Sequence, residues 1–176
     1  MLGGAFLELD LDEVDALTAD GFPSFQGHRL HELGRTVLVL SAVEHLAQNE
    51  QAEFIDQLFV RGDNAEREAL LRTLSLLPEP TRFLLTAVEA CRTNVQTVFE
   101  AIACENPYPV RHFPELNFNQ MVMKAIFTGV SLQRIVGLPT RITPALTSMA
   151  RDYVEERTVA GRSAPEDIGL ITSSSK

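Results

Sequence analysis

The chain has no tryptophan, two cysteines, and only two lysines, Lys124 and Lys176, among 176 residues. Its first 27 residues carry no basic side chain, and no apolar run approaches the ~18 residues of a membrane-spanning helix. Each absence excludes something. Cys91 and Cys104 have no second Cys or His at metal-ligand spacing, which leaves no zinc motif and predicts two buried thiols in a reducing compartment. The acidic opening lacks the charged-then-apolar layout of a secretory leader, so a cytoplasmic location is expected. Basic residues are outnumbered 15 to 24, a net charge of −9, which argues against nucleic acid or an anionic membrane as the main partner.

What is present is an ordinary apolar complement, 45% of the chain, enough for a single domain that folds without metal or disulfides. The charge is concentrated at one end. Glu8, Asp10, Asp12, Glu13, Asp15 and Asp20 fall in the first 27 residues, interleaved with Leu7, Leu9, Leu11 and Val14, while the remaining residues net only −3. Residues 1–33 therefore read as an acidic arm that is irregular or carries one short helix, with its apolar residues docked on the body. The alternative is an acidic site for a basic partner.

From 34 to 162 the pattern is helix after helix, with residues 163–176 as a tail. The run Thr36–Ala47 passes into Glu44-His45 without a turn signal and predicts helix rather than strand. Phe54, Ile55, Leu58 and Phe59 share the next stripe, closed by Gly62. Asp63 and Glu66 resemble a capping box opening the helix of Leu70, Leu71, Leu74 and Leu77, which Pro78-Glu79-Pro80 ends. A helix through Leu84, Ala87, Val88 and Cys91 follows, then one capped by Asn94 that carries Val95, Val98, Phe99 and Ile102. Two prolines bracket Tyr108 and predict a non-helical joint at 105–109. A helix from Pro114 stops at Gly129. Thr143 caps the last, with Pro144 in its first turn and Leu146, Met149, Ala150, Tyr153 and Val154 facing inward. The expectation is an all-α fold of about seven helices of roughly 11–17 residues in antiparallel pairs. They would form either a small HEAT-like α-solenoid or a compact bundle.

Catalytic signatures are few. His28-x-x-His31 has no third ligand at a fitted spacing, no serine sits in a nucleophile elbow, and no glycine-rich phosphate loop occurs, so neither a metal nor a cofactor is expected. The helix at 118–128 stands apart. Phe118, Met121, Val122, Ala125 and Ile126 form one stripe, while Met123 and Phe127 lie opposite, where Gln120 and Lys124 form an i, i+4 pair. A half-buried lysine must find an acid or lose its proton. It is either an ion pair with Glu100 or Asp152, or a ligand-facing cation or Schiff-base amine. The loop Asn106-Pro107-Tyr108-Pro109 either staples helices together or presents Tyr108 to a partner.

At these residues the chain resembles a known family. Leu74–Phe83, Arg92-Thr93-Asn94, Val98–Ala101, Asn106–Pro109, Phe113, Asn119–Ala125, Ile135–Leu138 and Asp152–Arg162 look like the EboA family, in order, over 74–162. Residues 1–33 resemble a member entered late, without its first helix. The resemblance implies an all-α protein without established catalytic residues. Its genes sit in a bacterial cluster for making or exporting a secondary metabolite. Two functions follow from it: a non-enzymatic adaptor binding a cluster enzyme or a metabolite, or an enzyme of unfamiliar reaction on a prenylated or aromatic small molecule. The candidate binding residues are Asn94, Glu100, Asn106, Tyr108, Asn119, Gln120 and Lys124.

Overall fold

A computed structural model describes residues 30–173, with side chains from Leu33 onward. The acidic arm and the His28-x-x-His31 pair lie outside those described side chains. Among the described residues there are nine α-helices and no strand. They are α1 (Leu30–Glu44), α2 (Gln48–Arg61), α3 (Asn64–Thr73), α4 (Leu84–Ala90), α5 (Gln96–Ala103), α6 (Tyr108–His112), α7 (Glu115–Thr128), α8 (Pro144–Val159) and α9 (Gly169–Thr172). Seven correspond to the expected helices, several of them shorter than expected because turns of 3₁₀ helix take over their ends at 74–76 and 80–83.

Local chemistry explains most boundaries. At the start of α3, Asp63 Oδ1 accepts from the Glu66 N–H (2.8 Å) and Glu66 Oε2 accepts from the Asp63 N–H (2.8 Å), a reciprocal capping box. Thr143 Oγ1 accepts from the Leu146 N–H (3.3 Å), with Pro144 in the first turn of α8. Gly129, at φ 73°, takes the left-handed turn that ends α7. A further glycine is required at 137, where φ is 69° and an added Cβ would lie 2.6 Å from Val110 Cγ2.

Three expectations are corrected. Helix α1 already begins at Leu30 and ends at Glu44, with His45 and Leu46 in a turn; the His45 ring bonds the Ser41 carbonyl (2.7 Å). The Tyr108-Pro109 segment is helical, because the sharp turn is taken three residues before Tyr108 by Glu105 at φ 49°, and proline is tolerated in a first helical turn. Past Arg162 the chain turns back, and Ile168 and Ile171 are buried where α9 packs on α8.

The interior is one continuous cluster from Val43 to Ile171. Helix α3 is its hub, packing on α1, α2 and most extensively on α5. The anticipated stripe of Leu70, Leu71, Leu74 and Leu77 is wholly buried there. Met149 is the exception on α8, turned outward rather than inward.

Candidate functional site

Five of the seven candidate residues fall into three groups, and two stand apart. Asn106 and Tyr108 are interior staples. Asn106 Nδ2 donates to the carbonyls of Leu71 (3.1 Å) and Ala101 (2.8 Å), and its Oδ1 accepts from the Tyr108 N–H (2.9 Å). Tyr108 is completely buried, its hydroxyl donates to the Pro80 carbonyl (2.6 Å), and Phe113 meets its ring edge-on. Burial pushes the phenol well above its ordinary range. Stapling, rather than presentation to a partner, is what this loop does.

Glu100 belongs to a second cluster. Arg134 Nη1 donates to Glu100 (2.6 Å), while its Nε and Nη2 grip both carboxylate oxygens of Glu105 (2.8 and 3.0 Å). That bidentate hold, with the Glu105 N–H donating to the Arg134 carbonyl (2.9 Å), pins the left-handed turn before α6. Two other candidates stand alone. Asn94 is exposed and does not cap α5, whose N-cap is Val95; Thr93 Oγ1 accepts from the Val95 N–H (3.1 Å). Asn119 is buried with its Oδ1 unpartnered.

Gln120 and Lys124 do meet, at a cleft of about 320 Å³ whose walls include Val88, Cys91, Arg92, Phe113, Asn117 and Met121. Here the expected ion pair is corrected. Among the described residues Lys124 Nζ finds no carboxylate; it donates to the Cys91 carbonyl (2.6 Å) and to the Thr93 carbonyl, and lies 4.8 Å from the centre of the Phe99 ring. These carbonyls follow the C-terminus of α4, where the helix dipole is negative and orphaned acceptors need donors. The ring face adds a cation–π contact. Burial draws the ammonium pKa below the usual lysine value, while the two carbonyl acceptors and the ring face favour the charged form. The Cys91 thiol is pushed up to about 12 by burial, so it is no nucleophile near neutrality. Of the expected apolar pair opposite the main stripe, Met123 is buried but Phe127 stands 60% exposed beside Tyr153.

Sequence reasoning missed the arginines. Arg67 donates to the carbonyls of Phe59 (2.8 Å) and Val60 (2.9 Å) at the end of α2. Arg141 donates to those of Val110 and Phe113 (2.7 Å each) at the end of α6 and lies over Phe118. The sole signal was composition, 13 arginines against two lysines.

Two groups give the fold an acid sensitivity. Burial, with Arg111 nearby, lowers the His112 pKa from 6.5, so the native state prefers neutral imidazole. The hydrogen bond from Arg134 is the main cause that lowers Glu100 from 4.5. In both cases the unfolded chain takes up the proton first as pH falls, so stability decreases, beginning below 6.5 for His112 and below 4.5 for Glu100. Thermal melts against pH should show both declines. H112Q should remove the upper one and E100Q the lower one; a flat profile in the native protein contradicts the assignment.

Among the described residues no three His, Cys, Asp or Glu side chains gather to hold a metal, and no helix is long and apolar enough to cross a membrane. Fold and site together define an all-helical protein with a small mixed-polarity cleft and a lysine spent on main-chain carbonyls. The chain belongs to the EboA family: it matches the family described as metabolite traffic protein EboA over residues 5–171. The match reaches well beyond the 74–162 segment that carries the sequence resemblance. No curated protein and no solved structure matches the chain.

Proposed function

We propose that this chain is a non-enzymatic accessory protein of a secondary-metabolite pathway, working in the cytoplasm and holding a small-molecule metabolite or docking a pathway enzyme. The observation that carries this reading is the division of labour at the Lys124 cleft. Its inner wall is closed by an ammonium bound to two carbonyls, while the side-chain amides of Asn117 and Gln120 make no hydrogen bond among the described residues. Free amides beside apolar walls of Val88, Phe113 and Met121 suit the polar edge and apolar body of one small molecule. The volume sits near the lower end of the ~300–1,000 Å³ typical of ligand pockets.

A catalytic reading has less to stand on. Glu100, the expected acid beside Lys124, is held by Arg134 instead. A Schiff-base lysine must present a free amine, and this one donates to main-chain oxygens.

The test is affinity capture of the tagged full chain from a producing strain, with mass spectrometry of both co-purified proteins and extracted small molecules. Gln120 is exposed, so Gln120→Trp should fill the cleft without disturbing the fold. The variant is expected to melt as the wild type and to lose the bound metabolite. Equal recovery from wild type and variant removes the cleft from the proposal. Turnover of a captured small molecule by the purified protein overturns the non-enzymatic role.

A further inference from the structure

A second, more apolar concavity lies elsewhere, between α1, α2 and α3. It is a groove of about 480 Å³ floored by Val39 and Phe54 and edged by Leu38 and Leu58, which remain 59% and 36% exposed. Arg35 and Arg61 also line it, and neither guanidinium has a hydrogen bond or ion pair among the described residues. Glu66 on the rim is already engaged with the Asp63 N–H (2.8 Å). The groove thus combines an apolar floor with two positive charges that have no partner among the described residues, in a protein whose net charge is −9.

We propose that the acidic N-terminal arm, Leu7–Val14, occupies this groove. Three observations point to that occupant. The first is complementarity: Leu7, Leu9, Leu11 and Val14 supply apolar groups, and Glu8, Asp10, Asp12 and Glu13 supply carboxylates at the same spacing, with no base among them. Leu7 and Leu11, four apart, share a face in either helical or extended backbone, so the pairing does not depend on the arm's conformation. The second is reach. The chain enters α1 at Leu30, and α1 itself forms one groove wall. Helix α1 spans about 22 Å, while the intervening residues 15–29 can extend to about 50 Å. Gly21, Pro23 and Gly27 within them supply turn chemistry for a reversal. Tethering also gives the arm a high effective concentration at the groove. The third is that the family match begins at residue 5, so the arm is part of the same family unit as the helical body. The inference stands apart from whatever the Lys124 cleft holds.

The experiment places a benzoylphenylalanine photocrosslinker at position 9 of the full chain and maps the products by peptide mass spectrometry. Intramolecular crosslinks into α1, α2 or α3 are expected. They should fall several-fold in the R35E/R61E double variant, with the helical circular dichroism unchanged, and again in high salt as exposed charges are screened. Crosslinks concentrated on other helices overturn the proposal. So do crosslinks found only in covalent dimers, which would place a second copy's arm in the groove. A yield insensitive to both charge reversal and salt removes the two arginines and overturns the electrostatic half of the argument.

Discussion

Replacing Asn106 by alanine should destabilise the protein by about 3–5 kcal/mol, because one side chain satisfies three buried main-chain groups at once. The carbonyls of Leu71 and Ala101 belong to the closing turns of α3 and α5, and the Tyr108 N–H is an orphan donor at the start of α6. Alanine leaves all three unpaired in a site 3% exposed, where water has little room to replace the amide. For a chain of this length the loss corresponds to a Tm lowered by roughly 6–20 °C. Asn106→Asp should be worse near neutral pH, since it turns a carboxylate oxygen toward two carbonyls that now receive a hydrogen bond. Tyr108→Phe removes one bond, to Pro80, and should cost only about 1–1.5 kcal/mol. A loss at Asn106→Ala no larger than that of Tyr108→Phe would show that the three bonds contribute little.

This ordering bears on what the sequence discloses. Caps and stripes are local: Asp63 with Glu66, Thr143 with Pro144, and the leucines of α3 act within a few positions of one another, and their pattern survives reading along the chain. The Asn106 and Lys124 contacts are of another kind. Their partners are carbonyl oxygens up to 35 residues away, and a carbonyl has no residue type to read. A lysine on a helix with two apolar faces suggested a carboxylate partner, yet the negative end of α4 does that work. Glu100 illustrates the same limit from the acid side, since its cation, Arg134, lies 34 residues onward. The short helix at Tyr108–His112 was hidden because proline forbids helix in the interior but not in the first turn.

A common device then links these sites. Arg67 closes α2, Lys124 closes α4 and Arg141 closes α6, each reaching from another segment to two carbonyls. Helices this short have a large share of unpaired ends, and cationic donors at C-termini meet both the hydrogen-bond and the dipole requirement. Arginine supplies this with a fixed fork. That accounts for a use of arginine beyond the ion pairs that Arg82, Arg92 and Arg134 make with glutamates. Lysine at 124 is the departure from that pattern, and it sits at the cleft.

Lys124→Met is the substitution that separates structure from binding there. Methionine keeps an apolar stem of similar length but removes the charge, both carbonyl bonds and the contact over Phe99. Hydrogen bonds from a charged donor contribute about 1.5–3 kcal/mol each, but these carbonyls are partly exposed and water recovers some of that. A net loss of about 2–3 kcal/mol is expected, read as a Tm lowered by roughly 4–12 °C. No carboxylate is orphaned by the change, so stability should fall without any new acid titration, which distinguishes the carbonyl latch from an ion pair. Lys124→Arg should recover part of the loss, since a guanidinium also donates to paired carbonyls but is bulkier beside Phe99. Well below its melting point the methionine variant should still be helical, and its capture of the metabolite can then be compared with that of Gln120→Trp. Loss of capture in the tryptophan variant alone makes Lys124 a latch that only shapes the wall. Loss in both makes its field part of recognition. A wild-type Tm in Lys124→Met would mean that the two carbonyls are served equally well by water, and the latch would have to be given up.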